Sequence, residues 1–224
     1  IKVKKLMSDE KVKSMLGKKL RTGYFKKVIK RDTDVYDENG NIILRFRKKV
    51  LSKKNVNLAF DNLIKFAHKT SQIRGTAGGV KDKKQAKLIS NNKSVMSNII
   101  GYFDTFSPSQ KLVFKNAGIP IPKCRETFFT GKEIEKWKNV VPLIKEIDKQ
   151  YKLLFPKEHR RQRARARKTP FVIGKTAFST ITTNLNWQTR VHTDKGDFDK
   201  GFGNLVVIEK GDFTGGYTGF PQYG

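Results

Sequence analysis

The stretch Phe178-Ser-Thr-Ile-Thr-Thr-Asn-Leu-Asn-Trp-Gln-Thr-Arg-Val-His-Thr-Asp-Lys-Gly-Asp197 decides the fold and the chemistry that we predict for this chain. It contains His192 and Asp194, separated by one residue. In an extended strand, side chains two apart project from the same face, so the imidazole and the carboxylate could reach one metal ion. They would supply two ligands of the His₂-carboxylate facial triad used by non-haem Fe(II) oxygenases. A third ligand must come from elsewhere.

The sequence around this stretch has a β-rich character. Short runs of β-forming residues occur at 171–173, 178–184, 187–191 and 204–208, and glycine-rich turns separate them. Several short strands joined by such turns predict an antiparallel sandwich or jelly roll. Residues 190–224 carry four cations and five acids, so the predicted pocket region is close to neutral.

Upstream of residue 169 the pattern is mixed, which gives the chain an α+β character. Residues 24–47 predict a β-hairpin, because Asn39-Gly40 between β-rich runs favours a turn with positive φ. Helical spacing predicts helices at 55–69, 109–117 and 133–155, the last of them kinked or restarted at Pro142. Residues 99–103 and 123–129 are predicted as short strands.

The charge balance indicates a polyanionic partner. Lys+Arg number 48 and Asp+Glu number 20 in 224 residues, a net charge of +28. Such a charge favours nucleic acid first and an anionic membrane surface second, and the alternative is a basic surface inside a larger assembly. The single cysteine, Cys124, excludes an internal disulfide and an all-cysteine zinc site. There is no apolar run of the roughly 20 residues that span a bilayer.

Two segments concentrate the cations. Residues 157–168 hold seven cations against one acid, and they predict either a solvated segment or a clamp for a phosphate backbone. The candidate phosphate contacts are Arg160, Arg161, Arg163, Arg165, Arg167 and Lys168. Residues 1–23 predict a basic arm, with an amphipathic helix that either binds an anionic surface or packs on the main domain. We predict no ligand role for His159, which cations flank, or for His68 at a predicted helix end.

Three segments near the C-terminal end resemble one protein family: Thr182–Asp197, Gly201–Gly211 and Gly215–Gly224. They are similar to the TET/J-binding-protein branch of Fe(II)/2-oxoglutarate dioxygenases, and most of all to the forms found in large DNA viruses, fungi and protists. Segments at 32–37, 99–104 and 124–125 are also similar to parts of those proteins. The resemblance extends over residues 24–224, and 178–224 is its specific part.

The resemblance implies a fold, cofactors and a substrate class. The fold would be a double-stranded β-helix core, only partly covered here, with the N-terminal hairpin and helices packed on it. The cofactors would be Fe(II), with His192 and Asp194 as its first two ligands, and 2-oxoglutarate as co-substrate. The substrate would be a methyl group on thymine or 5-methylcytosine in DNA, on a base that is flipped out of the duplex. Arg125 is a candidate contact for 2-oxoglutarate or the base.

The family's distal histidine and its 2-oxoglutarate-binding arginine are expected beyond Gly224, since both ends of the chain look cut. The expected organisation is a basic arm at 1–23, a hairpin and helical part at 24–168, and the first half of the jelly roll at 169–224. Two other functions stay open: a non-catalytic basic nucleic-acid-binding or virion structural protein, and a protein or peptide hydroxylase. The expected location is the nucleus, a viral factory or a virion, with other assembly components as further partners.

Overall fold

The computed structural model describes residues 1–67, 75–79, 96–194 and 196–224. Its α-helices are α1 (Asp9–Ser14), α2 (Lys53–Ala67), α3 (Pro108–Asn116), α4 (Phe128–Lys132), α5 (Ile134–Leu154) and α6 (Pro156–Ala166). Its strands are β1 (Thr33–Tyr36), β2 (Ile42–Phe46), β3 (Ser97–Phe103), β4 (Arg125–Glu126) and β5 (Thr180–Asn184). Short 3-10 helices lie at Thr22–Tyr24, Gly75–Gly78 and Pro221–Tyr223. Within these ranges, no helix is long and apolar enough to span a bilayer.

The hairpin predicted over 24–47 is confirmed at 33–46, whereas residues 24–32 form no strand because the pairing with β2 starts at Thr33 opposite Phe46. Strands β1 and β2 pair antiparallel, and the carboxylate of Asp37 accepts hydrogen bonds at the turn from the main-chain and side-chain N–H groups of Asn41. Residues 1–3 run alongside β1, where Val3 donates to the carbonyl of Tyr36 at 2.9 Å. The start of the N-terminal segment therefore packs on the hairpin.

A second sheet has the strand order β4-β3-β5, with β3 paired antiparallel to both neighbours. The β3–β5 register runs from Ser97 opposite Asn184 to Gly101 opposite Thr180. Ile99 and Ile100 are buried on this central strand. The sheet thus places β5, which precedes His192 by eight residues, against the main core.

The core forms where helices α2 and α5 pack on each other and on β3. Its buried members are Ala59, Leu63, Ile100, Phe129, Val140, Leu143, Ile144 and Ile173. The three- and four-residue apolar spacing that predicts helix 133–155 is the buried stripe of α5. Helix α5 continues through Pro142 without a second start, because this stripe packs on both sides of the proline. Pro156 then occupies the first turn of α6, where a missing N–H costs no hydrogen bond.

The α+β class is confirmed, whereas the jelly roll stays a prediction. Of the β-rich runs after residue 169, only 180–184 forms a strand; the predictions for 171–173, 187–191 and 204–208 are wrong. A strand requires a hydrogen-bonded neighbour, and none lies beside 204–208 among the described residues. The apolar side chains of Leu205 and Val207 are accordingly exposed.

The strand predicted at 123–129 is also corrected. Only Arg125 and Glu126 pair with β3, and the chain then turns into α4 at Phe128. Thr127 has an extended conformation, and its carbonyl accepts the hydrogen bond from Gly131 that starts the helix. Phe129 is fully buried among the core helices, so its burial favours the helical turn over a longer strand.

Candidate metal centre and nucleic-acid interface

His192 and Asp194 are brought together, although they do not lie in a strand. The Nε2 atom of His192 lies 3.4 Å from Oδ1 of Asp194, a separation that one ion can bridge with metal–ligand bonds of about 2.0–2.2 Å. The His192 side chain is 24% exposed and the Asp194 side chain 65% exposed, so the pair opens to solvent. A small ligand can therefore approach it.

The ring of His192 is oriented by its own main chain. Its Nδ1 atom lies 2.6 Å from the carbonyl oxygen of Arg190, which accepts the hydrogen bond when Nδ1 carries the proton. That tautomer leaves the lone pair on Nε2, the nitrogen that faces Asp194. A metal-binding histidine is usually oriented by such a bond from its other nitrogen. The geometry thus fits the histidine of a metal centre.

The residues just before His192 are held on two sides. Val191 donates to the carbonyl of Lys18 at 3.0 Å, and Arg190 donates to the carbonyl of Ala77 at 2.9 Å. The side chain of Arg190 also fills the space that a Cβ on Gly79 would occupy. Two distant parts of the chain therefore position the candidate ligand pair.

Asp197 adds a second carboxyl near the pair. Partial desolvation, together with the negative charge of Asp194, raises the pKa of Asp197. The side chain nevertheless keeps contact with solvent.

The described residues bring together two candidate ligands of the three in a facial triad. Within residues 1–67, 75–79, 96–194 and 196–224 there is no group of three His, Cys, Asp or Glu side chains placed to hold an ion. His159 is buried and its Nε2 lies 3.0 Å from Asp148, so it serves the core. His68 lies outside the described residues. The imidazole–carboxylate donor set fits Fe(II), with a further ligand still required.

Arg125 has structural partners at the edge of the sheet. Its Nε donates to the carbonyl of Thr105 at 2.9 Å, and its guanidinium lies 5.7 Å from the ring centre of Phe103. It pairs at the Phe103 end of β3, whereas β5 leaves the sheet beside Ser97 at the other end. Its role as a 2-oxoglutarate or base contact stays a prediction.

The basic run predicted at 157–168 forms most of α6. Of the six candidate phosphate contacts, Arg163 is half-buried; the exposed ones are Arg160, Arg161, Arg165, Arg167 and Lys168. His159 lies on the buried face of this helix, and the exposed cations lie on its other faces and at its C-terminal end. Arg160, Arg161 and Arg165 lie within the helix, whereas Arg167 and Lys168 follow its end at Ala166.

A polar network joins this helix to the chain that follows the ligand pair. The hydroxyl of Tyr151 donates to Oε1 of Gln162 at 3.0 Å and accepts from the main-chain N–H of Phe202 at 2.9 Å. The Asp148 carboxylate accepts from the N–H of Ala177 at 2.8 Å. The rings of Phe155 and Phe202 stack at 4.1 Å. The basic helix and residues 201–202 are thus one packed unit.

Sequence reasoning missed this network and the contact between Lys18 and Val191. Tyr151 belongs to a helical apolar stripe, which predicts burial but not which groups its hydroxyl meets. The polar Gln162 within a run of arginines was the one available signal, since an uncharged side chain there suits a packed face.

A solvent-open His–x–Asp pair on an α+β scaffold is the arrangement that a mononuclear metal centre of the oxygenase kind uses, and the chain also carries an exposed cationic helix. A family model described as the oxygenase domain of the 2OGFeDO superfamily, Tet_JBP, matches residues 112–224. The chain belongs to this family. Family membership implies Fe(II) and 2-oxoglutarate as cofactor and co-substrate.

Individual relatives match over a similar length. The chain is 36% identical over 129 residues to thymine dioxygenase JBP1-A of Trypanosoma cruzi, covering 58% of this chain and 14% of that protein. It is 40% identical over 120 residues to the bifunctional helicase and thymine dioxygenase JBP2 of Leishmania infantum, covering 53% and 10%. The matched part is therefore a small fraction of these relatives. No solved structure matches the chain.

Proposed function

We propose that the protein is an Fe(II)- and 2-oxoglutarate-dependent oxygenase that hydroxylates the methyl group of thymine in DNA. The observation that carries the proposal is the 3.4 Å approach of His192 Nε2 to Asp194 Oδ1, with the imidazole oriented by the Arg190 carbonyl. Membership of the Tet_JBP family supports the reaction class. The relatives named as thymine dioxygenases support thymine ahead of 5-methylcytosine.

The chain's own residues would contribute binding and orientation. Bound Fe(II) and 2-oxoglutarate would supply the oxidising chemistry that inserts oxygen into a methyl C–H bond. His192 and Asp194 would hold the metal through a neutral nitrogen and a carboxylate oxygen. The hydrogen bond from Nδ1 to Arg190 keeps the imidazole in the tautomer that this requires. Because Asp194 is largely exposed, a base flipped out of the duplex can approach the centre from solvent.

The cationic face of α6 would hold the DNA by its backbone. Arg160, Arg161 and Arg165 are exposed on a helix that packs against residues 177 and 202. Phosphate contacts of this kind position the duplex without reading its sequence. A DNA substrate would require the protein to reach the nucleus, a viral factory or a virion.

The test is turnover by the protein at its full encoded length. Incubated in air with Fe(II), 2-oxoglutarate and thymine-containing duplex DNA, it should consume O₂ and form succinate, CO₂ and 5-hydroxymethyluracil, measured by mass spectrometry. Asp194→Asn and His192→Ala should each lower turnover by at least 100-fold. Asp199→Asn is the matched control, because Asp199 is an exposed carboxylate five residues from Asp194. Turnover that survives His192→Ala, or no turnover on thymine-containing DNA, would contradict the proposal, and turnover on 5-methylcytosine DNA alone would assign that base as the substrate instead.

A second candidate is a non-catalytic nucleic-acid-binding protein on an oxygenase scaffold. It is favoured by the net charge of +28 and by the exposed arginines of α6. It predicts salt-sensitive DNA binding that neither chelators nor His192→Ala change, with no consumption of 2-oxoglutarate. The turnover assay separates the two candidates.

A further inference from the structure

We propose that residues 18–31 form a second phosphate-binding surface, which holds the nucleic-acid backbone at the rim of the His192–Asp194 centre. This surface would serve the proposed function, and it rests on that function only because nucleic acid is taken as the partner. This segment lies outside residues 112–224, the part that matches the oxygenase family, and is separate from the arginine face of α6. Its ligand would be the phosphodiester backbone beside the target base.

The segment from residue 18 to residue 31 is strongly cationic. It contains seven cations and no acid: Lys18, Lys19, Arg21, Lys26, Lys27, Lys30 and Arg31. All seven are exposed, and none forms an ion pair within the described part of the chain. The protein's own carboxylates therefore do not neutralise these charges. Cations arranged in this way bind phosphates by releasing counterions.

The first end of the segment is attached directly beside the candidate ligands. Val191, the residue before His192, donates to the carbonyl of Lys18 at 3.0 Å, and its own carbonyl accepts from Gly17 at 2.8 Å. The amide of Gln188 donates to the carbonyl of Leu20 at 2.7 Å. Main chains bonded in this way lie roughly 5 Å apart. The main chain at Lys18 thus runs directly beside that of Val191, the residue that precedes His192.

The middle of the segment is attached to the C-terminal region. The ring of Phe25 packs so closely on Gly219 that a Cβ there would overlap it. Tyr24 packs edge-on against Phe25 at 5.3 Å, and its hydroxyl points to the sulfur of the buried Met15. Two separate anchors, at Val191 and at Gly219, therefore hold the cationic segment across the part of the chain that carries the centre.

This placement suits an extruded nucleotide. A base that reaches the metal leaves its flanking phosphates at the rim of the site, and fixed cations there offset their charge. An anionic membrane is the less fitting partner, because the ring of Phe25 is used in packing against Gly219. Backbone binding also needs no base-specific contact, and five of the seven cations of the segment are lysines.

The experiment measures how DNA affinity depends on salt for the full-length protein. Lys18→Gln/Lys19→Gln removes two cations of the segment, and Lys53→Gln/Lys54→Gln removes two exposed cations at the start of α2 as the matched control. Fluorescence anisotropy with a labelled duplex would be recorded from about 50 to 200 mM salt. The first variant should lower the slope of log K against log salt by about 1.8, and by about 1.4 on a single strand. The control should leave both slopes unchanged.

Several results would overturn the proposal. Equal slopes of log K against log salt for the segment variant and the control would overturn it. So would a segment that binds phosphatidylserine vesicles while the segment variant keeps the DNA affinity of the wild type. Lys26→Gln/Lys27→Gln, away from the main-chain anchors, repeats the test if the first variant does not fold by circular dichroism. The wild-type turnover assay is read separately: salt-sensitive binding through the segment without turnover would sink the oxygenase function and leave this surface standing.

Discussion

The hydroxyl of Tyr151 accepts a hydrogen bond from the main-chain N–H of Phe202 at 2.9 Å. It also donates to Gln162 on the arginine helix, so one buried phenol joins three parts of the chain. Burial raises the pKa of Tyr151, and the hydrogen bond from the N–H of Phe202 offsets only part of that rise. Because the net pKa is raised, the phenol stays protonated at neutral pH. This contact fixes the cationic helix to the segment that follows His192.

Tyr151→Phe removes the hydroxyl and leaves the N–H of Phe202 without its acceptor. Leaving a buried polar group unsatisfied should lower the free energy of unfolding by about 1–3 kcal/mol. Urea denaturation followed by circular dichroism measures the change. The control is Tyr217→Phe at a tyrosine that is 61% exposed, where we expect a change within about 0.5 kcal/mol. Equal effects at the two positions would contradict the structural role of the Tyr151 hydroxyl.

Gly79→Ala should disturb the residues that orient His192. Gly79 has a φ of +86°, and the side chain of Arg190 occupies the place of a Cβ. Because the carbonyl of Arg190 faces Nδ1 of His192, displacing Arg190 should weaken Fe(II) binding by the full-length protein roughly 10-fold. Isothermal titration under anaerobic conditions measures the affinity.

The matched control for that variant is Gly40→Ala. Gly40 has a nearly equal φ of +85°, and no atom lies within 4 Å of a Cβ built there. Both substitutions carry similar backbone strain, so any difference in metal affinity reports the contact with Arg190. Unchanged affinity in both variants would show that Gly79 does not position the centre.

Glu146 should make the fold sensitive to acid. Desolvation raises the pKa of Glu146, but hydrogen bonds from Asn55 and from the main chain and hydroxyl of Ser52 outweigh it, so the net pKa is lowered from 4.5. A lowered folded pKa stabilises the fold above the unfolded value, and this stabilisation is lost as pH falls through the folded value. The loss therefore begins as pH drops below about 4.5.

Glu146→Gln should lower the free energy of unfolding at pH 7 by about 1 kcal/mol, a modest figure because solvent reaches the side chain. The difference between the wild type and the variant should shrink as pH falls below the ordinary glutamate value. Urea titrations at a series of pH values measure it. Glu135→Gln, at a side chain that is 82% exposed, is the control and should show little change at any pH. A difference that grows in acid would refute the linkage.

Cys124 should react slowly in the folded protein. Burial raises the pKa of its thiol, and the main-chain N–H of Arg125 offsets this only in part. Because the thiolate is the reactive species, alkylation by iodoacetamide at pH 7.5 should be several-fold slower than in protein unfolded by urea. Mass spectrometry gives both rates. Equal rates would show that the thiol is not protected.

Local patterns predicted the elements that local chemistry controls. The turn predicted at Asn39-Gly40 forms with Gly40 at positive φ, and the stripe along α5 follows from its apolar spacing. Predictions for strands failed at 171–173, 187–191 and 204–208, because a β-rich run becomes a strand only when a partner lies beside it. The α+β class could be predicted because it depends on composition and on residue spacing. The jelly roll could not be established in this way because it depends on which strands pair.

The candidate site divides along the same line. The sequence by itself determined that His192 and Asp194 can bind one metal ion and that residues 157–168 form a dense cationic run. Only the tertiary structure decided that Lys18 lies beside Val191, more than 170 residues away along the chain, and that Tyr151 meets Phe202. Side-chain spacing acts within a helix or strand, whereas contacts across such distances depend on how whole elements pack. The types of the candidate site residues could therefore be identified from the sequence, whereas the residues that surround them were decided by tertiary packing.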